Sequence, residues 1–415
     1  MNNHLPATCG RSNVSVKRDC AQQQLKGSKM NTATTTTTTR REEVSLNRIN
    51  NRIESLMSDA SARLDATQDE IERHPIIDEI GRVGIKVPDD VRMQIQIDDD
   101  DTMHVPHGGT WVPFTRHARS QLFTKLGIPT GWANEQADGL PWQRQLIADT
   151  ASTFVARSKG EQRLLLRAVK GKIAGVMSDR YRRTDSALMM ATFRAKCEQV
   201  GAVPLEVTVT ETRWELRAII PTPIRIDTPQ GPEWVAICIR LANSDFGAGA
   251  TSIDVSLMRL VCINGMLGEN VLRAVHLGGR LGDAISWADD TYKADSKAMS
   301  LAMRDAIGDA IRPEAIEERI AVVTNAAATE VDPEPVIKGL VKARRLGKGQ
   351  AQRVNELLMK RDGELVPAGR ITKWSIAQAV SAAAKDEESA DNSRDLQAVA
   401  GTIVGLRTAA SEDAA

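Results

Sequence analysis

Two hydrophobic periods run through the chain. Ile49, Ile53, Leu56, Met57, Ala60 and Leu64 recur at three and four residues and predict one stripe of a helix from Arg40 to Leu64. Val91, Met93, Ile95 and Ile97 alternate strictly with polar residues, the period of a half-buried strand, and stop at the aspartates Asp98 to Asp101. Thr115 to Leu126 predicts a short helix closed by Gly127 and Pro129, and Pro141 opens another that carries Leu146, Ile147, Phe154 and Val155. From Arg163 to His276 most strand signals gather, over 163–169, 172–178, 205–210, 213–220, 234–241, 251–261 and 270–277, with one helix over 185–200. Their connections, among them Lys170-Gly171, Pro229-Gln230-Gly231-Pro232 and Asn264-Gly265, are too short for repeated crossovers. The sheet is therefore expected to be mostly antiparallel.

After Ile285 helical spacing takes over, near 285–311, 313–328, 333–345, 350–361 and 370–388, with a further stretch to 408; Pro313 and Pro333 fall at helix starts. The pattern predicts an α+β protein with a mostly antiparallel β-sheet core, an α-helical C-terminal lobe and a disordered N-terminus. Its expected parts are a disordered segment 1–40, a helix and strand region 41–100, the sheet core 101–284, the helical lobe 285–408 and a tail 409–415. Residues 1–40 are polar and end in the run Thr34 to Thr39, which cannot bury enough surface to offset ordering. Met30, just before that run, is a second candidate start of translation.

Composition narrows the class. An apolar share of 41% over 415 residues supports a real core. No apolar stretch approaches the roughly 20 residues of a membrane helix, and the first 30 residues lack the apolar centre of a secretory signal. Five widely spaced cysteines, Cys9, Cys20, Cys197, Cys238 and Cys262, suit neither a disulfide framework nor a zinc knuckle. A reducing cytoplasm is the expected compartment, with no membrane partner.

Positive and negative side chains are equal in number, at 54 each, so only local clustering can indicate a charged partner. From Arg157 to Lys196 eleven cations stand against three carboxylates, an excess of eight. Arg163, Arg167, Lys170 and Lys172 fall on a predicted hairpin, and Arg180, Arg182 and Arg183 on its exit, where Tyr181 would stack on an exposed base. Such a face can track a phosphate backbone; the competing reading is a solvated face of an ordinary sheet. A second cluster, Lys338, Lys342, Arg344, Arg345, Lys348 and Arg353, spans a helix, the glycine turn Gly347 to Gly349 and the next helix start, which suits an anion or simply an exposed helix face.

Signs of catalysis are weak. Asn243 to Ala250 is a small-residue loop, but a strand pattern follows it where phosphate-cradling loops require a helix. His104 and His107 form H-x-x-H with no glutamate and no helix, the acidic quartet reads as a charged turn, and Cys262 reads as a small core residue. No catalytic residue, metal ligand or cofactor is assigned.

Three segments carry a likeness: Ala242-Asn243-Ser244-Asp245-Phe246-Gly247, Met258-Arg259-Leu260-Val261-Cys262-Ile263-Asn264-Gly265-Met266 and Val275-His276-Leu277-Gly278. In order and spacing they resemble the core of a phage and plasmid family catalogued as domain of unknown function 932. Ala118 to Pro129 and Thr372-Lys373-Trp374 with Ala377 to Ala379 resemble an early and a late helix of that family, so the likeness spans residues 105–405. It implies carriage on a mobile element and handling of element DNA, brings no established catalytic residue, and marks Asn243, Ser244, Gly247, Arg259, Asn264, Gly265 and His276 as positions to test.

The leading expectation is a non-enzymatic accessory protein that binds nucleic acid, single-stranded DNA included, in replication or recombination, and that acts as a homo-oligomer. One rival is a nucleotide-ligand protein or enzyme using the Asn243 to Gly249 loop with His276. Another is an inhibitor that docks its helical lobe on a host protein.

Overall fold

The computed structural model describes residues 40–98, 102–184, 186–228, 231–260, 269–274, 288–359 and 370–406. The expectations for the N-terminal segment, for Asp99 to Asp101, for Cys9, Cys20 and Cys262, for Asn264, Gly265 and His276, and for the tail lie outside them.

The first half runs α1 (Arg40–Arg73), β1 (Ile77–Val83), β2 (Gln96–Ile97), β3 (Met103–His107), β4 (Thr110–Pro113), α2 (Arg116–Leu126), α3 (Thr130–Ala137), α4 (Pro141–Arg157), β5 (Gln162–Val169) and β6 (Lys172–Ser178). There follow α5 (Ser186–Val200), β7 (Val203–Val209), β8 (Trp214–Ile219), β9 (Ile224–Thr228), β10 (Gly231–Asn243), β11 (Thr251–Arg259) and β12 (Glu269–Ala274). Helices close the chain: α6 (Asp289–Ala310), α7 (Pro313–Ala328), α8 (Pro333–Lys342), α9 (Lys348–Met359), α10 (Lys373–Ala383) and α11 (Ala390–Val404). The α+β class and the antiparallel sheets agree with the hydrophobic pattern.

Among the described residues three sheets form, ordered β1-β5-β6, β2-β3-β4 and β12-β11-β10-β8-β7, with β9 also on β10, and the pairings between these strands are antiparallel. The first two share a core in which Leu122, Phe123, Ile147 and Val155 of α2 and α4 meet Leu164, Leu166 and Ile173. The large sheet is apolar on both faces, as period-two alternation allows. Ile237, Ile239 and Leu241 belong to a core with α5, α6 and α10, while Ala236 and Cys238, one residue out of step, meet Ile53 of α1.

Two expectations change. Residues 91–97 form only the two-residue β2 and a single bridge from Arg92 to Arg82. Met93 is buried, with Ile95 and Ile97 packed against the same core, so the alternation records one-sided burial without a full ladder. The strand β1 went unread because its exposed edge carries Asp78, Glu79 and Arg82. The expected Lys170-Gly171 turn is present: Val169 pairs Lys172, and the two intervening residues have φ of 52° and 69°. Two positive φ values define the type I′ turn that matches hairpin twist.

Candidate functional site

The hairpin cations are largely engaged. Arg167 is buried, donates from Nε to Asp78 Oδ1 at 2.8 Å and from Nη1 to the Asp245 carbonyl at 2.7 Å. Arg183 Nε lies 3.2 Å from Asp78 Oδ2 and its guanidinium stacks 4.5 Å from the centroid of the Tyr292 ring. Arg182 forms a bidentate pair with Asp295 of α6, Arg163 lies 3.5 Å from Asp179, and Lys170 lies 2.5 Å from Glu70 of α1. Arg180 is half-buried and not free. Lys172 alone of the named seven cations is exposed with no ion pair among the described residues.

Tyr181 does not offer a stacking face. It is buried, its hydroxyl donates to the Ser244 carbonyl at 3.1 Å, and burial, the largest effect, pushes its phenol above the usual range. The stacking role expected of Tyr181 is therefore corrected, and Arg167, Lys170 and Arg182 clamp the hairpin to the loop after β10, to α1 and to α6.

That loop is a junction. Ser186 Oγ accepts from Trp214 Nε1 and Asn243 Nδ2, each at 2.8 Å, and donates to Asp245 Oδ2. One donor and two acceptor sites are all a hydroxyl has, so Ser186 is saturated. Asn243 is fully buried and its Oδ1 accepts from Thr251 Oγ1 at 2.5 Å. Ser244 donates to the Thr212 carbonyl at 2.7 Å and accepts from the Ala248 N–H at 2.9 Å. Gln121 and His117 of α2 reach the Phe246 carbonyl at 2.8 and 2.9 Å. Gly247, at φ 73°, is left-handed, and a Cβ there would stand 3.0 Å from Gln121 Nε2. The family-marked positions Asn243, Ser244 and Gly247 thus lock the first core to the large sheet. Arg259, also marked, is buried in a bidentate pair with Glu233 at 2.6 and 2.7 Å.

A second buried network lies on the large sheet. Arg240 pairs with Glu215 and, at 3.0 Å, with Asp254; Arg217 reaches Glu206 at 3.1 Å and Gln397 of α11. Burial alone would raise the Glu215 carboxyl, but Arg240 and Arg217 hold it down at about 2. Arg394 is lowered to about 10, first by burial and then by the like charges of Arg240 and Arg213.

His104 and His107 lie three apart on a strand and so face opposite ways. Among the described residues no three His, Cys, Asp or Glu side chains gather as a metal site. The buried thiols are raised, Cys197 to about 12 and Cys238 to about 11, chiefly by burial, which leaves them inert as nucleophiles.

The second basic cluster keeps its charge. Lys338 pairs with Glu334 and Arg353 with Asp386, but Lys342, Arg344 and Lys348 on the turn from α8 to α9 are exposed and carry no ion pair among the described residues. Arg344 is held at φ 56°. Arg345 is half-buried beside them and not free.

The sequence offered no sign of a cleft of 790 Å³ between the hairpin, the end of α1 and the turn from β7 to β8. Its walls come from five separate stretches of chain, so no local motif marks it.

Family models, curated proteins and solved structures yield no match to this chain. The fold and its polar junction define an α+β protein built on three antiparallel sheets. Among the described residues no helix is long and apolar enough to cross a membrane.

Proposed function

We propose that the chain is a non-enzymatic accessory protein of a phage or plasmid that binds nucleic acid inside the host cell, with the turn from α8 to α9 as its contact. The observation that carries this reading is the set Lys342, Arg344 and Lys348: three exposed cations within seven residues, none neutralised by a carboxylate among the described residues. Lysine and arginine in that state exchange their counterions for phosphates, which gives sequence-independent affinity. The likeness to the mobile-element family supports the same reading, whereas Asn243 and Ser244 are committed to internal hydrogen bonds, which disfavours nucleotide chemistry through their side chains.

Anisotropy of a labelled single-stranded oligonucleotide, titrated at several salt concentrations, tests the proposal. Three phosphate contacts predict a log–log slope of about −2, since each contact on a single strand contributes about −0.7. A flat response, or no binding at low salt, overturns it.

A further inference from the structure

The cleft beside α1 has the form of a ligand site that the nucleic-acid reading does not use. Its volume, 790 Å³, falls within the roughly 300–1,000 Å³ of pockets that enclose small molecules. Arg63, Thr67 and Glu70, spaced by four and three, lie on one face of α1, and His74 just past its end lines the same cleft. Lys170 and Lys172 of the hairpin form the opposite lip, and Val207, Val209, Trp214 and Phe246 supply apolar surface. Val209 remains 59% exposed although it ends a strand of the large sheet, so the cleft presents apolar area to solvent that an occupant would cover.

Charge selects the occupant. Arg63 and Lys172 both line the cleft, are exposed and carry no ion pair among the described residues; with Lys170 and Arg213 they make four lining cations against the three carboxylates Glu70, Glu211 and Asp245. Lys170 bridges to Glu70 at 2.5 Å, closing hairpin to helix. Lys170 holds a left-handed φ of 52°, a position that turns usually give to glycine or asparagine. A lysine kept in that conformation is accounted for by its ammonium at the mouth of the cleft, an inference from a backbone outlier to a role.

We propose that this cleft binds a small amphipathic anion: a carboxylate or phosphate head held by Arg63 and Lys172, with Lys170 joining as the head displaces Glu70, and an apolar body against Val209, Trp214 and Phe246. Glu70 then acts as a resident competitor for the cationic lip and sets how strongly charged a ligand must be to enter.

The test uses the full chain and 1-anilinonaphthalene-8-sulfonate, a fluorescent aromatic anion, displaced in turn by decanoate, decyl phosphate and neutral decanol. The expected result is one saturable site per chain, displaced by both anions at concentrations about tenfold below decanol; the more effective anion identifies the head group. Arg63→Glu with Lys172→Glu, both exposed, should weaken the probe about tenfold, and Glu70→Gln should tighten it by about two- to fivefold. Circular dichroism confirms that each variant is folded. Unsaturable binding, displacement by decanol as effective as by the anions, or an affinity unmoved by Glu70→Gln overturns the proposal. None of these outcomes bears on the salt slope of oligonucleotide binding, so the two readings fail separately.

Discussion

Ser186 sits where the chain enters α5, and its hydroxyl is the point at which Trp214, Asn243 and Asp245 are tied together. Ser186→Ala strands two buried donors, the Trp214 indole N–H and the Asn243 amide, and should lower stability by about 2–4 kcal/mol. Urea unfolding would show this as a lower midpoint at unchanged slope. Tyr181→Phe removes the hydrogen bonds of its hydroxyl with the Ser244 carbonyl and the Gly247 backbone and should lower stability by about 1–3 kcal/mol while leaving oligonucleotide affinity where it was; a fall in affinity would restore the stacking role. Why these residues were misread is a matter of distance along the chain. The excess of eight positive charges from Arg157 to Lys196 is a property of one window, but the carboxylates that answer it come from Glu70, Asp78 and Asp295. A one-dimensional charge count cannot see a partner that only the fold supplies.

At the scale of elements, the hairpin of β5 and β6 was legible because its turn occupies two residues and its strands need no distant partner to be recognised. Helices such as α7, which Pro313 opens, were legible for the same local reason. The stretch from Val91 to Ile97 was not, since alternation reports which side is buried and says nothing about whether a neighbouring strand is present. The hairpin also carries a testable strain. Lys170 in the left-handed region costs about 1–2 kcal/mol, and its exposed, solvent-screened pair with Glu70 offsets little of that cost. Lys170→Asn should therefore leave thermal stability unchanged or slightly raised, because asparagine tolerates that conformation. A drop in melting temperature would mean that the ion pair pins the hairpin to α1.

Across the whole molecule, the charged network on the large sheet couples stability to pH. Glu215 sits at about 2 when folded, below its ordinary 4.5, so the unfolded chain binds its proton first as pH falls. The contribution of this carboxylate is complete above about pH 4.5 and is lost as pH drops toward 2; it is on the order of 3 kcal/mol. Glu215→Gln should flatten the fall in urea midpoint between pH 5 and 3 relative to the unaltered chain, and parallel curves would assign the acid transition to other carboxylates. The cleft and the junction loop were illegible for a related reason: each is assembled from segments that lie far apart in sequence, and neither leaves a local spacing to read. Of the two basic clusters named from the sequence, the one on the turn from α8 to α9 keeps three neighbouring cations exposed and without an ion pair among the described residues, because no carboxylate of those residues is folded against them.

The central claim, that this turn receives a polyanion, is tested most directly by comparing oligonucleotide binding of the unaltered chain with that of a triple variant, Lys342→Glu with Arg344→Glu and Lys348→Glu, at low salt. All three positions are exposed, so folding should survive. The account predicts that affinity falls by at least about tenfold, to the same degree on unrelated sequences. Equal binding by the two proteins would contradict it.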